Sequence, residues 1–275
     1  MSTHALSTLL DVPYIARRIH ALTVRHGEKE PEILEKNVEK TIERMLHFTG
    51  VVSLADEFQG GAFRAFDDRP AADPANFARP LARIEAIRGE LLAGLSSPLK
   101  GPHAAPSERA LHAHLLGADY FGGAKKPERV AAVRKIAPEF LRPFSHYVPR
   151  ARRALRWLRA DVADELRRLG GAAARADQFD RLFERAFEPQ REGLYERAVR
   201  ALEGAFERGL LVALEAEPKG YVPVDLSRLY DVGGFVHDFL RTVSDLGVGL
   251  VDREIDVVRA LIFATHEPTP AEVSP

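Results

Sequence analysis

The chain has 275 residues and no cysteine, which excludes a disulfide framework, a cysteine-ligated zinc site and a thiol nucleophile. Its 39 Lys and Arg residues and 40 Asp and Glu residues leave a net charge of −1, so no global field attracts nucleic acid or a membrane surface. No apolar run approaches the roughly 20 residues of a membrane-spanning helix, and the first residues lack the pattern of a secretory signal. We therefore expect a cytoplasmic protein with no direct membrane insertion.

Amphipathic helices are predicted in the first quarter of the chain. One covers residues 13–27, and a longer one begins at Pro31, whose missing N–H costs nothing in a first helical turn. Apolar residues then repeat every three or four positions until the glycine pair at 60–61 ends the pattern. Residues 1–66 are predicted to form an N-terminal helical segment.

The middle of the chain is rich in proline and glycine. Residues 67–127 are predicted to be a connecting region with short helices, one over 81–95 and one that begins after Ser107 as the N-cap. Residues 128–266 are predicted to form a C-terminal helical bundle, and residues 267–275 a disordered tail.

The C-terminal bundle is predicted to contain several helices separated by prolines and glycines. The predicted helices cover residues 128–144, 149–169, 174–187, 190–217 and the stretch after Asp225 as the N-cap. The first of these is expected to be interrupted at Pro138 and Pro143. Pro149 is expected to begin the second of these helices and Pro189 to separate the third from the fourth, because an internal proline removes a helical hydrogen bond. No strand pattern appears. The sequence therefore predicts an all-α protein, an irregular multi-helix bundle with a Pro/Gly-rich middle segment.

One predicted helix carries an unusual set of side chains. Residues 140–160 contain six arginines and no acid, together with Trp157, the only tryptophan of the chain. At 100° per residue, Trp157 lies opposite the Leu/Val stripe. The arginines crowd the first turns, where the helix dipole disfavours cations. The candidate binding residues are Arg150, Arg152, Arg153, Arg156, Trp157 and Arg159.

Two interpretations of this helix stay open. The arginines could bind phosphate or an acidic protein, with Trp157 as a stacking or hot-spot anchor. Alternatively, Trp157 packs under a second helix and the arginines pair with acids such as Asp161, Asp164 or Glu184.

A second candidate surface lies near the C-terminus. Apolar residues repeat alternately by three and four, as in a heptad seam, at Leu229, Val232, Val236, Phe239, Val243, Leu246 and Leu250. Such a seam favours either oligomerisation, including a homo-oligomer, or packing within the chain's own bundle.

The sequence carries no recognisable catalytic motif. It contains no G-x-G-x-x-G or G-K-[ST] phosphate loop, no H-E-x-x-H metal motif and no G-x-S-x-G nucleophile elbow. We therefore predict no catalytic residue, no metal and no cofactor. A helical enzyme with a scattered polar site remains an alternative.

Three stretches carry a resemblance to a known family. They are residues 46–55 (LHFTGVVSLA), the Arg142–Pro143–Phe144 stretch with Tyr147, and the pattern of Asp177, Phe187–Glu188–Pro189, Leu202–Glu203 and Phe206–Glu207. Together they resemble an uncharacterised bacterial domain-of-unknown-function family, over most of residues 15–265. Genes of this family tend to lie beside a stator-like inner-membrane protein and an OmpA-like peptidoglycan-binding protein. Such clusters are linked to Zorya-type anti-phage defence, in the variant without the helicase and nuclease.

The resemblance implies a cytoplasmic accessory or effector protein that works with an ion-driven membrane motor. The expected partner is the stator-like and OmpA-like motor complex, and the expected mode of action is protein–protein binding without enzymatic activity. The alternative is a DNA-binding effector that uses the helix face from Arg150 to Arg159.

Overall fold

The computed structural model describes residues 77–122, 124–215 and 226–263. Of these residues 84% are helical and none lies in a strand, which confirms the all-α fold class. The predicted N-terminal segment 1–66, the N-cap at Asp225 and the tail 267–275 lie outside the described residues.

Six longer helices and one helical turn make up the described part of the chain. They are α1 (Ala78–Leu95), α2 (Glu108–Gly117), α3 (Lys126–Phe140), α4 (Arg142–Leu169), α5 (Gly171–Glu215), α6 (Ser227–Tyr230) and α7 (Phe235–Phe263). Ser107 is the N-cap of α2, as predicted, because its Oγ accepts a hydrogen bond from the Ala110 N–H at 3.3 Å. Gly170, with φ of 72°, follows the last residue of α4, so the helix ends at residue 169 as predicted.

Prolines end fewer helices than predicted. The predicted interruption at Pro138 is wrong, since α3 contains Pro138 and continues to Phe140. The predicted start at Pro149 is wrong, since α4 begins seven residues earlier at Arg142 and contains Pro149. The predicted break at Pro189 is also wrong, since α5 runs without interruption from Gly171 to Glu215. An internal proline costs about 3 kcal/mol. In α4, buried residues on both sides of Pro149, such as Val148 and Leu155, offset that cost by packing.

The single C-terminal helix predicted after Asp225 is two helices. The chain turns at residues 231–234, between α6 and α7, where Gly233 has φ of 89°. A Cβ on Gly234 would lie 2.1 Å from the carbonyl oxygen of Arg228, so the turn requires glycine there. The tight turn overrides the heptad pattern that runs through it.

The described residues fall into two compact units. The first unit holds residues 91–122, 124–149, 193–215 and 226–250, and the second holds residues 77–90, 150–192 and 251–263. The first unit therefore includes residues on both sides of the predicted boundary at residue 128.

The first unit is built around an aromatic cluster. The Phe206 ring lies 4.4 Å from that of Phe140, 4.9 Å from that of Phe239 and 5.8 Å from that of Phe235, measured between centroids. All four side chains are buried. Ring pairs at these distances add to the stabilisation that comes from burial itself.

The second unit combines an apolar core with ion pairs between helices. Its core is formed by buried side chains of α1, α4, α5 and α7, among them Ile84, Leu155, Val162, Ala173, Ile255 and Val258. Arg88 of α1 bonds through Nε to Asp252 Oδ1 of α7 at 2.7 Å, and Arg259 of α7 bonds to Glu85. The arginine-rich part of α4 belongs to this same unit.

Candidate functional site on the arginine-rich helix

Between Arg150 and Leu169, helix α4 has one buried side and one exposed side. Leu155, Leu158, Val162 and Leu166 are buried, in a row spaced by three and four residues. The opposite side carries Trp157, whose exposed fraction is 71%. The predicted amphipathic stripe is therefore confirmed, and Trp157 lies on the side that the sequence predicts.

Arg159 belongs to the buried side. Its Nε donates to Asp180 Oδ2 at 2.7 Å, its Nη2 to Asp180 Oδ1 at 2.5 Å and its Nη1 to Glu184 Oε1 at 2.5 Å. Burial lowers the pKa of Arg159, but the hydrogen bonds and the charge of Asp180 outweigh burial, so the pKa is raised above its ordinary value. Arg159 is thus a structural cation held by two carboxylates.

Arg152 has a similar structural role. Only 9% of the residue is exposed, and its Nε donates to Glu254 Oε1 at 2.5 Å. A cavity of about 20 Å³ lies beside Arg152, Arg156, Arg159 and Glu254. A space of that size admits about one water molecule, so it cannot serve as a site for an organic ligand.

The remaining arginines lie on the exposed side of α4. Arg153 and Arg156 are exposed, and Arg150 is exposed with its Nη2 3.7 Å from Glu90 Oε2. We call Arg150, Arg153, Arg156 and Trp157 the α4 surface. One turn beyond Trp157, the exposed Asp161 adds a negative charge to the same side of the helix.

The six candidate binding residues therefore divide into two groups. Arg152 and Arg159 are buried in ion pairs and cannot contact a partner, which corrects their place among the candidates. Pairing of an arginine with Glu184 is confirmed for Arg159. The interpretation that Trp157 packs under a second helix is wrong, since most of its side chain is exposed.

The second candidate surface is not a continuous seam. Leu229, Val236, Phe239, Val243 and Leu246 are buried within a single copy of the chain. Val232 lies in the turn between α6 and α7 with 89% of the residue exposed, and Leu250 is partly exposed. The seam predicted through Val232 is therefore wrong, and the five buried residues pack within the chain's own first unit.

Asp177 is a buried acid of α5. It precedes Asp180, the partner of Arg159, by three residues in the sequence. Only 1% of the residue is exposed. Among the described residues its Oδ1 has no hydrogen-bond partner, while Oδ2 accepts from Arg181 and lies 3.5 Å from Arg167 Nε. Burial raises the pKa of Asp177, and the two arginines offset this only in part. Burial of this acid was not predicted, because no local sequence pattern indicates it.

Neither a metal centre nor a known relative adds to the site. Across residues 77–122, 124–215 and 226–263, no group of three His, Asp or Glu side chains is arranged to hold a metal ion. In the same ranges no helix combines the length and apolar character needed to cross a membrane. Comparison with protein-family models, with curated proteins and with solved structures finds no match. Function must therefore be argued from the α4 surface itself.

Proposed function

We propose that this chain is a non-enzymatic partner-binding protein and that the α4 surface is its contact site. The observation that carries the proposal is the 71% exposure of Trp157 beside the exposed Arg153 and Arg156. Trp and Arg are the residue types most enriched among interface hot spots. An indole left in water gains hydrophobic free energy when a partner covers it, so a surface of this composition is suited to protein binding.

The charge on and around α4 favours a protein partner over nucleic acid. Arg152 and Arg159 are neutralised internally, and Glu90 lies near Arg150, which leaves few cations available for phosphates. The exposed Asp161 on the same side of the helix would repel a phosphate backbone. A surface of mixed charge that includes an exposed tryptophan matches an acidic or mixed-charge protein instead.

The proposed partner is the stator-like and OmpA-like membrane-motor complex, and the proposed role is that of a cytoplasmic accessory or effector in Zorya-type anti-phage defence. The support for this partner is the sequence resemblance. The support for binding as the mode of action is the exposed α4 surface together with the lack of a catalytic motif.

The test is a binding measurement with the immobilised chain and the detergent-solubilised motor complex. We expect saturable binding that weakens at least about tenfold in Arg153→Gln/Arg156→Gln, the loss expected for two charged contacts. The matched control is Arg109→Gln/Lys135→Gln, which removes two exposed cations from the first unit. Equal weakening in both variants, or no binding at all, would contradict the proposal.

A second arm addresses the DNA-binding alternative. Labelled duplex and single-stranded DNA are titrated with the chain at low and moderate salt, and fluorescence anisotropy is recorded. We expect no binding that depends on Arg153 and Arg156. Binding that falls steeply with salt and is lost in Arg153→Gln/Arg156→Gln would instead identify the α4 surface as a phosphate site.

A further inference from the structure

A groove in the first unit has the size and lining of a small-molecule site. Its volume is about 540 Å³, and its walls include Leu95, Leu99, Lys100, His237, Leu240 and Arg241. Small-molecule sites commonly enclose about 300–1,000 Å³. The groove lies between the loop after α1 and one side of α7, and it shares no residue with the α4 surface.

Hydrogen bonds hold the loop wall of the groove at both ends. Ser244 shares its hydroxyl proton between the carbonyl oxygens of Leu95 at 2.8 Å and Leu240 at 2.9 Å. At the other end, the Tyr230 hydroxyl donates to the carbonyl oxygen of Pro106 at 3.0 Å. Burial raises the pKa of Tyr230 far above its ordinary value, so this hydroxyl keeps its proton. The wall is therefore preformed, which lowers the entropic cost of binding a ligand.

The lining combines an apolar floor with two cations. Leu95 and Leu240 are buried below the groove, and Leu99 is 45% exposed at its edge. Lys100 and Arg241 are both exposed, and neither forms an ion pair with another described residue. Two exposed cations beside an apolar surface complement a molecule that has an apolar body and a negative group.

His237 and Asp245 further restrict the ligand. Nδ1 of His237 lies 3.2 Å from Oδ1 of the buried Asp238, a contact that fixes the ring orientation and leaves the other ring nitrogen for a further hydrogen bond. Asp245 also lines the groove and would repel a second negative group placed near it. The groove therefore suits one anionic group and disfavours a polyanion such as a nucleic acid.

We propose that this groove binds a small organic anion, with the apolar body on Leu99 and Leu240 and a carboxylate, phosphate or sulfonate group held by Lys100 and Arg241. This site is independent of the α4 surface, since it belongs to the other unit of the chain.

The test uses two fluorescent probes that differ by one charged group. The anionic probe is 8-anilinonaphthalene-1-sulfonate, and its neutral counterpart is N-phenyl-1-naphthylamine. In the unaltered chain we expect a single saturable site that prefers the anionic probe. Lys100→Gln/Arg241→Gln should weaken binding of the anionic probe about tenfold, the loss expected for two solvent-exposed ion pairs, and leave binding of the neutral probe unchanged.

Two further variants complete the design. Arg109→Gln/Lys135→Gln removes the same charge from the same unit outside the groove and should bind both probes as the unaltered chain does. Leu99→Gln should weaken the binding of both probes, because Leu99 contributes an apolar part of the wall and no charge. All these positions are exposed. The urea midpoint of each variant shows whether it is destabilised, since partly unfolded proteins bind such probes non-specifically.

Three results would overturn the proposal. They are the absence of a saturable site, equal affinity for the anionic and neutral probes in the unaltered chain, and equal weakening in the groove variant and its charge-matched control. The probes are titrated without any partner protein, so a failure here leaves the proposal for the α4 surface unaffected.

Discussion

Trp157 and Arg159 lie two residues apart on α4 and face opposite surroundings. The indole is 71% exposed, whereas Arg159 is 9% exposed and forms two hydrogen bonds with Asp180. Two residues correspond to about 200° around a helix, so neighbouring members of one arginine-rich sequence serve different purposes. One side of α4 stabilises the second unit, and the other side carries the exposed Trp157.

The structural role of Arg159 predicts a large loss of stability on its removal. Arg159→Met would leave the carboxylate of Asp180 buried without its partner, and breaking a buried ion pair in this way costs about 3–5 kcal/mol. Urea unfolding followed by circular dichroism measures the free energy of unfolding. The control is Arg153→Gln, an exposed position where a change within about 0.5 kcal/mol is expected.

A rescue variant separates the charge from the packing. Arg159→Met combined with Asp180→Asn removes both charges, so it should recover a large part of the stability lost in the single variant. A single variant as stable as Arg153→Gln would show that the ion pair has no structural role.

The buried Asp177 leads us to expect a pH-dependent difference in the free energy of unfolding between the unaltered chain and Asp177→Asn. Because burial raises the folded-state pKa above the ordinary value of 3.8, the folded state favours the protonated acid. Stability from this group is therefore full below the unfolded pKa and is lost as pH rises through the folded pKa. We expect Asp177→Asn to be the more stable protein at neutral pH, with the difference vanishing on acidification.

The measurement is the free energy of unfolding of both proteins at a series of pH values, because the difference isolates Asp177 from all other titrating groups. If Asp177→Asn were instead less stable at neutral pH, the ion pairs with Arg167 and Arg181 would outweigh burial, and the assigned direction of the pKa shift would be wrong.

Because the heptad pattern is interrupted at Val232, substitutions at Leu246 and at Val232 should have unequal effects on stability. Leu246→Ala should cost about 2–5 kcal/mol, since Leu246 is fully buried. Val232→Asn should change stability by less than about 0.5 kcal/mol, because Val232 is exposed in a turn. The unfolding midpoint should also be independent of protein concentration. A midpoint that rises with concentration would restore the oligomerisation hypothesis.

Exposure of the only tryptophan can be checked directly in solution. Emission of the free chain should lie at the long wavelength of water-exposed indole, and acrylamide should quench it nearly as well as a short tryptophan peptide. Emission at short wavelength with weak quenching would show that Trp157 is covered in the free protein.

Local features of the fold were predictable where a short sequence pattern fixes the geometry. Ser107 as an N-cap, Gly170 as a helix end and the apolar stripe of α4 depend on residues within one or two turns of each other. The uninterrupted helix through Pro149 was not predictable, because burial of apolar side chains decides whether an internal proline is tolerated.

The candidate site was predictable only in part for a similar reason. The side of α4 that carries Trp157 follows from helical periodicity. The partners of the buried arginines do not, because Asp180 and Glu254 lie 21 and 102 residues away from Arg159 and Arg152 in sequence. Contacts of that kind depend on how helices pack, and a single sequence carries no pattern for them.

The most direct test of the proposed function is the affinity of Trp157→Ala for the membrane-motor complex, measured beside its free energy of unfolding. The exposed position predicts a change in stability within about 0.5 kcal/mol. The proposed contact predicts at least about a tenfold loss of affinity, as for a hot-spot tryptophan. Unchanged affinity in a stably folded Trp157→Ala variant would contradict the assignment of the α4 surface as the partner-binding site.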